Sequence, residues 1–201
     1  MPELPDLTIY VESLEKRVVG KTLNKIVVIN PFLLRSVDPP LEELQGRNVR
    51  TIERIGKRIV FGLEDELYMV IHLMIAGRLK WKVDKKLPPR KIGLAVFSFE
   101  DGDLQLTEAG TKRRASLHAV RGAENLHQFD RGGLEVYKAD REAFAAALLT
   151  ENHTLKRTLT DQRLFSGIGN SYSDEILHRA HLSPFKQSTH LKDEEIDRLY
   201  Q

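Results

Sequence analysis

A proline and a glutamate stand directly behind the first methionine, in the run Met1-Pro2-Glu3-Leu4-Pro5-Asp6. Loss of Met1 would leave Pro2 as a secondary amine with a carboxyl group beside it. An amine of that kind adds to a sugar or keto carbon to form a Schiff base, which is nucleophilic catalysis. The same residues also suit a stiffened tail ahead of a helix starting near Asp6, and the run alone leaves both readings open. A second run, Gly167-Ile168-Gly169-Asn170, falls between two expected helices. Glycines there permit unusual backbone angles and close approach of another backbone. The free amides at the following helix start suit a phosphate. Asn170 or Ser171 can cap that helix, and Ser171 with Asp174 has capping-box spacing. A tight interhelical turn with no ligand explains the same residues.

Charge adds a direction. The net charge of +2 is small, so the whole-chain figure does not point to a nucleic-acid partner. Its distribution says more: Arg47, Arg50, Arg54, Lys57 and Arg58 form one basic group, and Lys80, Lys82, Lys85, Lys86, Arg90 and Lys91 a second. Lys112, Arg113 and Arg114 form a third. Three such groups in one half of the chain favour a surface that tracks phosphates. Among 201 residues none is cysteine, which excludes disulfides and thiolate metal sites and fits a reducing cytoplasm. No apolar run approaches the ~20 residues of a membrane span, and no secretory leader is visible.

These residues need elements to position them. Leu7, Val11, Leu14 and Val18 repeat at helical spacing, with Asp6 as the expected cap and Gly20 as the stop. A hundred residues of strand pattern follow: LNKIVVIN, the alternation around Val49, Ile52 and Ile55, KRIVFGL, LYMVIHL, GRLKWKV, LAVFSF and DLQLT. About seven strands behind one helix imply a β-sandwich or barrel. The composition changes near Gln128, and the rest reads as helices: REAFAAALL capped by Asp140, residues 154–160, SYSDEILHRA, and LKDEEIDRLYQ with Ile196, Leu199 and Tyr200 on one face. The expected class is α+β. A β-rich domain would cover 1–127, a linker 128–139, and a helical domain 140–201 that ends within its last helix.

Taken together, PELPD at the start, Lys57 in RIGKRIV, IHLMIAGRL and SGIGNSYSDEILHRAHLSPF resemble the formamidopyrimidine-DNA glycosylase and endonuclease VIII family. The resemblance implies an N-terminal helix with a β-sandwich, then a helix–two-turn–helix domain, with DNA bound in the cleft between. It implies a monomeric enzyme acting on double-stranded DNA that holds a damaged base or abasic site, without metal or organic cofactor. Relatives flip the damaged nucleotide out of the duplex, and the proline amine attacks C1′ of its sugar; base loss and strand cleavage follow. By matching positions Pro2 would be the nucleophile, Glu3 the acid that opens the sugar ring, and Lys57 a contact to the lesion or its phosphate. His72, Ile75, Arg113, Lys156, Gly169 and Asn170 would contact DNA.

The departures matter too. Where relatives carry a His-Leu-Gly-Met-type run, this chain has His72-Leu73-Met74-Ile75, so Met74 falls on the usual glycine and Ile75 on the intercalating position. The Asp-Pro-Arg-Arg-Phe-Gly-like loop of relatives is replaced by residues 107–116, with Arg113 for the arginine and Ala115 for the aromatic wedge. A zinc finger ends many relatives, and its cysteines have no counterpart here. A DNA-binding module that keeps the fold without the chemistry is the competing expectation.

Overall fold

The computed structural model describes residues 1–201, which divide into two compact units, Met1–Phe129 and Asp130–Gln201. In the first, helix α1 (Leu4–Val18) buries Leu4, Leu7, Leu14 and Val18. Its cap differs from the expectation. Glu3, not Asp6, is the N-cap, because Pro5 sits comfortably in the first turn, where a missing N–H costs nothing. Asp6 lies one turn in, and its carboxylate accepts the Glu3 N–H at 3.0 Å.

Nine strands follow, in two antiparallel sheets. Strands β1 (Thr22–Leu23), β3 (Arg47–Ile55), β4 (Arg58–Leu63), β5 (Leu67–His72) and β9 (Ser116–Arg121) form one sheet in the order β1-β3-β4-β5-β9. Strands β2 (Lys25–Val28), β6 (Gly77–Lys82), β7 (Gly93–Phe99) and β8 (Gly102–Glu108) form the other, ordered β2-β7-β8-β6. A single apolar core takes Leu23, Ile52, Phe61 and Ile71 from the first sheet and Ala95, Phe97 and Leu106 from the second, together with Leu7 and Leu14 of α1. That packing makes a sandwich. The far side of the first sheet carries a smaller cluster of Val60, Val70 and Val120 under Phe129.

The LNKIVVIN run divides. Thr22 and Leu23 pair with β3, whereas Lys25–Val28 pair with β7, so the chain changes sheets at Asn24. Strand β9 is an addition to the expected set. It pairs with β5 from Leu67↔Arg121 to His72↔Ser116.

In the second unit, α2 (Arg141–Leu149) starts at Asp140, whose side chain accepts the Ala143 N–H at 2.8 Å. Helices α3 (Leu155–Thr160), α4 (Asn170–Arg179) and α5 (Asp193–Tyr200) follow. Phe144, Leu148, Leu159, Phe165, Leu177 and Ile196 share their core. The segment expected as a linker is packed at both ends. Phe129 is buried in the first unit, while Leu134 pairs with Phe165 in the second. Gly133 is needed there, since a Cβ would lie 2.4 Å from the Gln162 carbonyl oxygen. No helix is long and apolar enough to cross a membrane.

Candidate active site and nucleic-acid surface

In the first unit Pro2 is buried and Glu3 is only 2% exposed, while Met1 remains exposed. Burial of a carboxyl group at a helix start is unusual unless something holds it. The helix N-terminus supplies that, because its free amides and dipole favour an acidic group. Helix α1 packs on β3 and β4, and those two strands are joined by a two-residue turn, Gly56-Lys57, between paired Ile55 and Arg58. Gly56 takes φ +57°, and its carbonyl accepts from Arg54 Nη1 at 2.6 Å. Lys57 therefore stands on a braced hairpin tip. Burial holds its ammonium below the ordinary lysine range, and the nearby Glu3 carboxylate offsets part of that shift.

His72, at the end of β5, is paired across the sheet with Arg58. Its Nε2 is buried without a hydrogen-bond partner. Burial first, then Arg58, Lys57 and His118, push the imidazole down to about 4. His118 on β9 is shifted the same way by burial, Arg58 and Arg35. Both rings are thus kept neutral near pH 7, inside a cationic neighbourhood. Folding then binds fewer protons than the unfolded chain does between about 6.5 and about 4. The stability that His72 contributes is fully present above its unfolded value and is lost as pH falls toward the folded one. His72→Gln is expected to flatten the dependence of the melting temperature on pH between 7 and 4. His118 retains its own share of the slope.

Beyond His72 the chain turns through Leu73–Gly77. The Gly77 N–H reaches the Leu73 carbonyl at 2.9 Å, and a Cβ at Gly77 would lie 2.1 Å from that oxygen. Met74 adopts φ +53°, a left-handed conformation that costs a non-glycine residue roughly 1–2 kcal/mol. Methionine thus occupies a backbone conformation that favours glycine. Ile75 is left 61% exposed at its tip.

The loop after β8 is pinned at its base. Buried Glu108 accepts the Arg114 N–H at 3.0 Å and the Ala115 N–H at 3.1 Å. Arg113 is exposed, with a guanidinium hydrogen bond to the Lys91 carbonyl. Ala115 is buried and presents no wedge. Glu108 was missed in the sequence, where an acid after a strand carries no sign of folding back on its own loop.

In the second unit Gly167 takes φ +85°, which demands glycine. Gly169 is the N-cap of α4, so neither Asn170 nor Ser171 is; Asn170 is the first helical residue and is exposed. Gln162 staples this turn: its Oε1 accepts the Gly167 N–H at 3.0 Å, and its Nε2 donates to the Ile168 carbonyl at 2.6 Å. This residue too escaped sequence reasoning, because its partners are backbone groups that the folded turn brings to it. Lys156 on α3 lies against the same helix start, donating to the Asn170 carbonyl at 2.6 Å.

The structure thus groups Pro2, Glu3, Lys57, His72, Ile75 and Arg113 in the first unit, and Lys156, Gly169 and Asn170 in the second. Family models agree with that division. Residues 1–117 match the formamidopyrimidine-DNA glycosylase N-terminal domain, and residues 135–201 match the H2TH domain of the same proteins. The formamidopyrimidine-DNA glycosylase of Mycoplasma genitalium is 31% identical, over 98% of this chain and 70% of that protein. That of Desulfitobacterium hafniense is 30% identical, over 100% and 74%. Among solved structures, MutM (Fpg) from Thermus thermophilus superposes with a TM-score of 0.82 at 32% identity, covering 99% of this chain and 72% of that one. Lactococcus lactis Fpg in complex with DNA containing an abasic site superposes with a TM-score of 0.88 at 27% identity, covering 98% and 75%. With both of its domain models matched in order, this chain is a member of the formamidopyrimidine-DNA glycosylase family.

Proposed function

We propose that the chain is a DNA glycosylase with abasic-site lyase activity in base-excision repair, and that Pro2 is its nucleophile. The observation that carries this reading is the placement of Pro2 and a buried Glu3 at the start of α1, with Lys57 in electrostatic reach of Glu3. A protein that only binds DNA has no physical need for that combination. Hydrolysis of the Met1–Pro2 bond frees a secondary amine; until then the Pro2 nitrogen is an amide and cannot attack. The amine adds to C1′ of a flipped nucleotide, the bond from C1′ to the base breaks, the base leaves with the electron pair and takes a proton from water, and the new ammonium passes its own proton to the Glu3 carboxylate. Glu3 delivers a proton to the ring oxygen, the sugar opens, and an iminium joins Pro2 to C1′. Loss of a C2′ proton then expels the 3′ phosphate by β-elimination, and a second elimination releases the 5′ phosphate.

The remaining residues bind and position. Neutral His72 is assigned a phosphate oxygen as the partner its buried Nε2 lacks, a contact that requires the turn beyond β5 to open when DNA binds. Asn170 and the first amides of α4 hold another phosphate. Extrusion of a base costs a few kcal/mol, offset by these contacts and by Ile75 entering the vacated stack. Arg113 is left to meet the orphaned base alone, because Ala115 is small and buried. A related Lactococcus lactis Fpg variant is known in complex with DNA containing Fapy-dG, and ring-opened purines are the substrate class we assign. The test is excision, by protein whose intact mass lacks Met1, from duplexes with Fapy-dG opposite each of the four bases. Release with little dependence on the opposite base is expected. Binding without release from any of the four would leave a non-catalytic DNA-binding module.

A further inference from the structure

The ammonium of Lys156 occupies an unusual place. It lies at the N-terminal turn of α4, the positive end of that helix dipole, where a cation is disfavoured. Two acceptors hold it there: the Asn170 carbonyl at 2.6 Å and Asp174 Oδ1 at 2.5 Å. The Asn170 carbonyl also accepts from Ser173 Oγ at 3.0 Å, so this first-turn oxygen is heavily used. Lys156 keeps 29% of its side chain exposed and Asp174 66%. The outer member of the pair is therefore the acid. Resting on the reading that this turn meets a DNA phosphate, we propose that Asp174 sets the DNA affinity by neutralising Lys156. With the pair formed, the turn offers a phosphate the exposed Asn170 side chain but no net positive charge. The carboxylate itself faces the approaching polyanion.

This makes Lys156 a positioning residue and Asp174 a restraint on affinity, so removing the charge of that acid is expected to strengthen binding. Asp174→Asn keeps an oxygen that can accept from Lys156 and removes only the negative charge. An ion pair this exposed contributes little to stability, so the melting temperature is expected to hold. The probe is a duplex bearing one tetrahydrofuran abasic analogue, titrated at several salt concentrations. Asp174→Asn is expected to bind about three- to tenfold more tightly near 0.1 M salt. The slope of log K against log salt should steepen by about 0.9, one further phosphate neutralised. Both gains should vanish in a Lys156→Met background. Glu194→Gln, which removes an exposed acid on α5, should leave the slope unchanged. If Asp174→Asn binds no more tightly while Asn170→Ala weakens binding, the proposal for Asp174 is overturned and the phosphate role of the turn survives. If Asn170→Ala binds as the wild type does, that role falls and the proposal falls with it.

Discussion

Glu3→Gln is expected to lower single-turnover excision of Fapy-dG by roughly 10²–10⁴-fold, the usual worth of a placed general acid. The amide has nearly the same shape and can keep the polar contacts of a buried site, but it has no proton to give to the sugar ring oxygen. Folding should change little. The Glu3 backbone N–H still donates to Asp6, and the Leu7 N–H still reaches the Glu3 carbonyl at 2.9 Å. Cleavage at a pre-formed abasic site should fall much less, because that sugar already samples its open aldehyde and needs no acid to open it. The two assays, run on one preparation, separate an acid from a structural cap. Excision close to that of the wild type would remove Glu3 from the chemistry.

Lys57→Met carries the second large effect, with opposite signs in activity and stability. The ammonium is partly buried, and burial is the main cause of its lowered pKa. Replacing it with an unbranched apolar chain removes that desolvation cost, so the melting temperature should hold or rise. Activity should move the other way. An attacking amine must be unprotonated, and an α-amino group titrates near ~8; a neighbouring cation lowers that value. Without Lys57 the Pro2 amine should hold its proton to higher pH. The alkaline shift should show in the pH dependence of abasic-site cleavage, with a loss of about tenfold or more near pH 7. An unchanged pH profile would mean that Lys57 does not act on the amine.

Much of this arrangement was legible in the residues. The helical repeat of Leu7, Leu14 and Val18 marked α1, and the alternation around Ile52 and Ile55 followed by KRIVFGL marked the two strands, although that run placed Lys57 inside a strand and the structure places it in the turn between them. The errors were of one kind. LNKIVVIN looks like one strand because local pattern cannot show that Asn24, whose N–H donates to the Ser98 carbonyl at 2.9 Å, is where the chain changes sheets. Strand β9 stayed hidden because only Leu117 and Ala119 alternate on its core face before Arg121 ends the pattern. Its partner β5 is some fifty residues away, as the pairing of Tyr68 with Val120 shows. The cap fell on Glu3 because the chain tolerates Pro5 inside the first turn, a choice that Asp6 alone does not reveal. Gln162 and Glu108 act through backbone groups of loops that exist only once folded. Residue types carried the chemistry, and long-range pairing decided which of them are braced.

Met74 shows the same limit from another side. The sequence shows a methionine where relatives have glycine, which by itself suggests a remodelled turn. The backbone takes φ +53° there, a left-handed conformation that strains a methionine. Gly77 and the Leu73 carbonyl close the turn so tightly that few other paths are open. Ile75 is consequently held out at its tip.

The most direct measurement is borohydride reduction in the presence of a duplex carrying one abasic site, followed by peptide mapping of any adduct, on protein whose intact mass lacks Met1. A reduced tertiary-amine link from sugar C1′ to the Pro2 nitrogen is the expected result, and it should be absent from protein that retains Met1. An adduct mapped to Lys57 or Lys156, or none at all despite tight binding to the same duplex, would contradict Pro2 as the nucleophile.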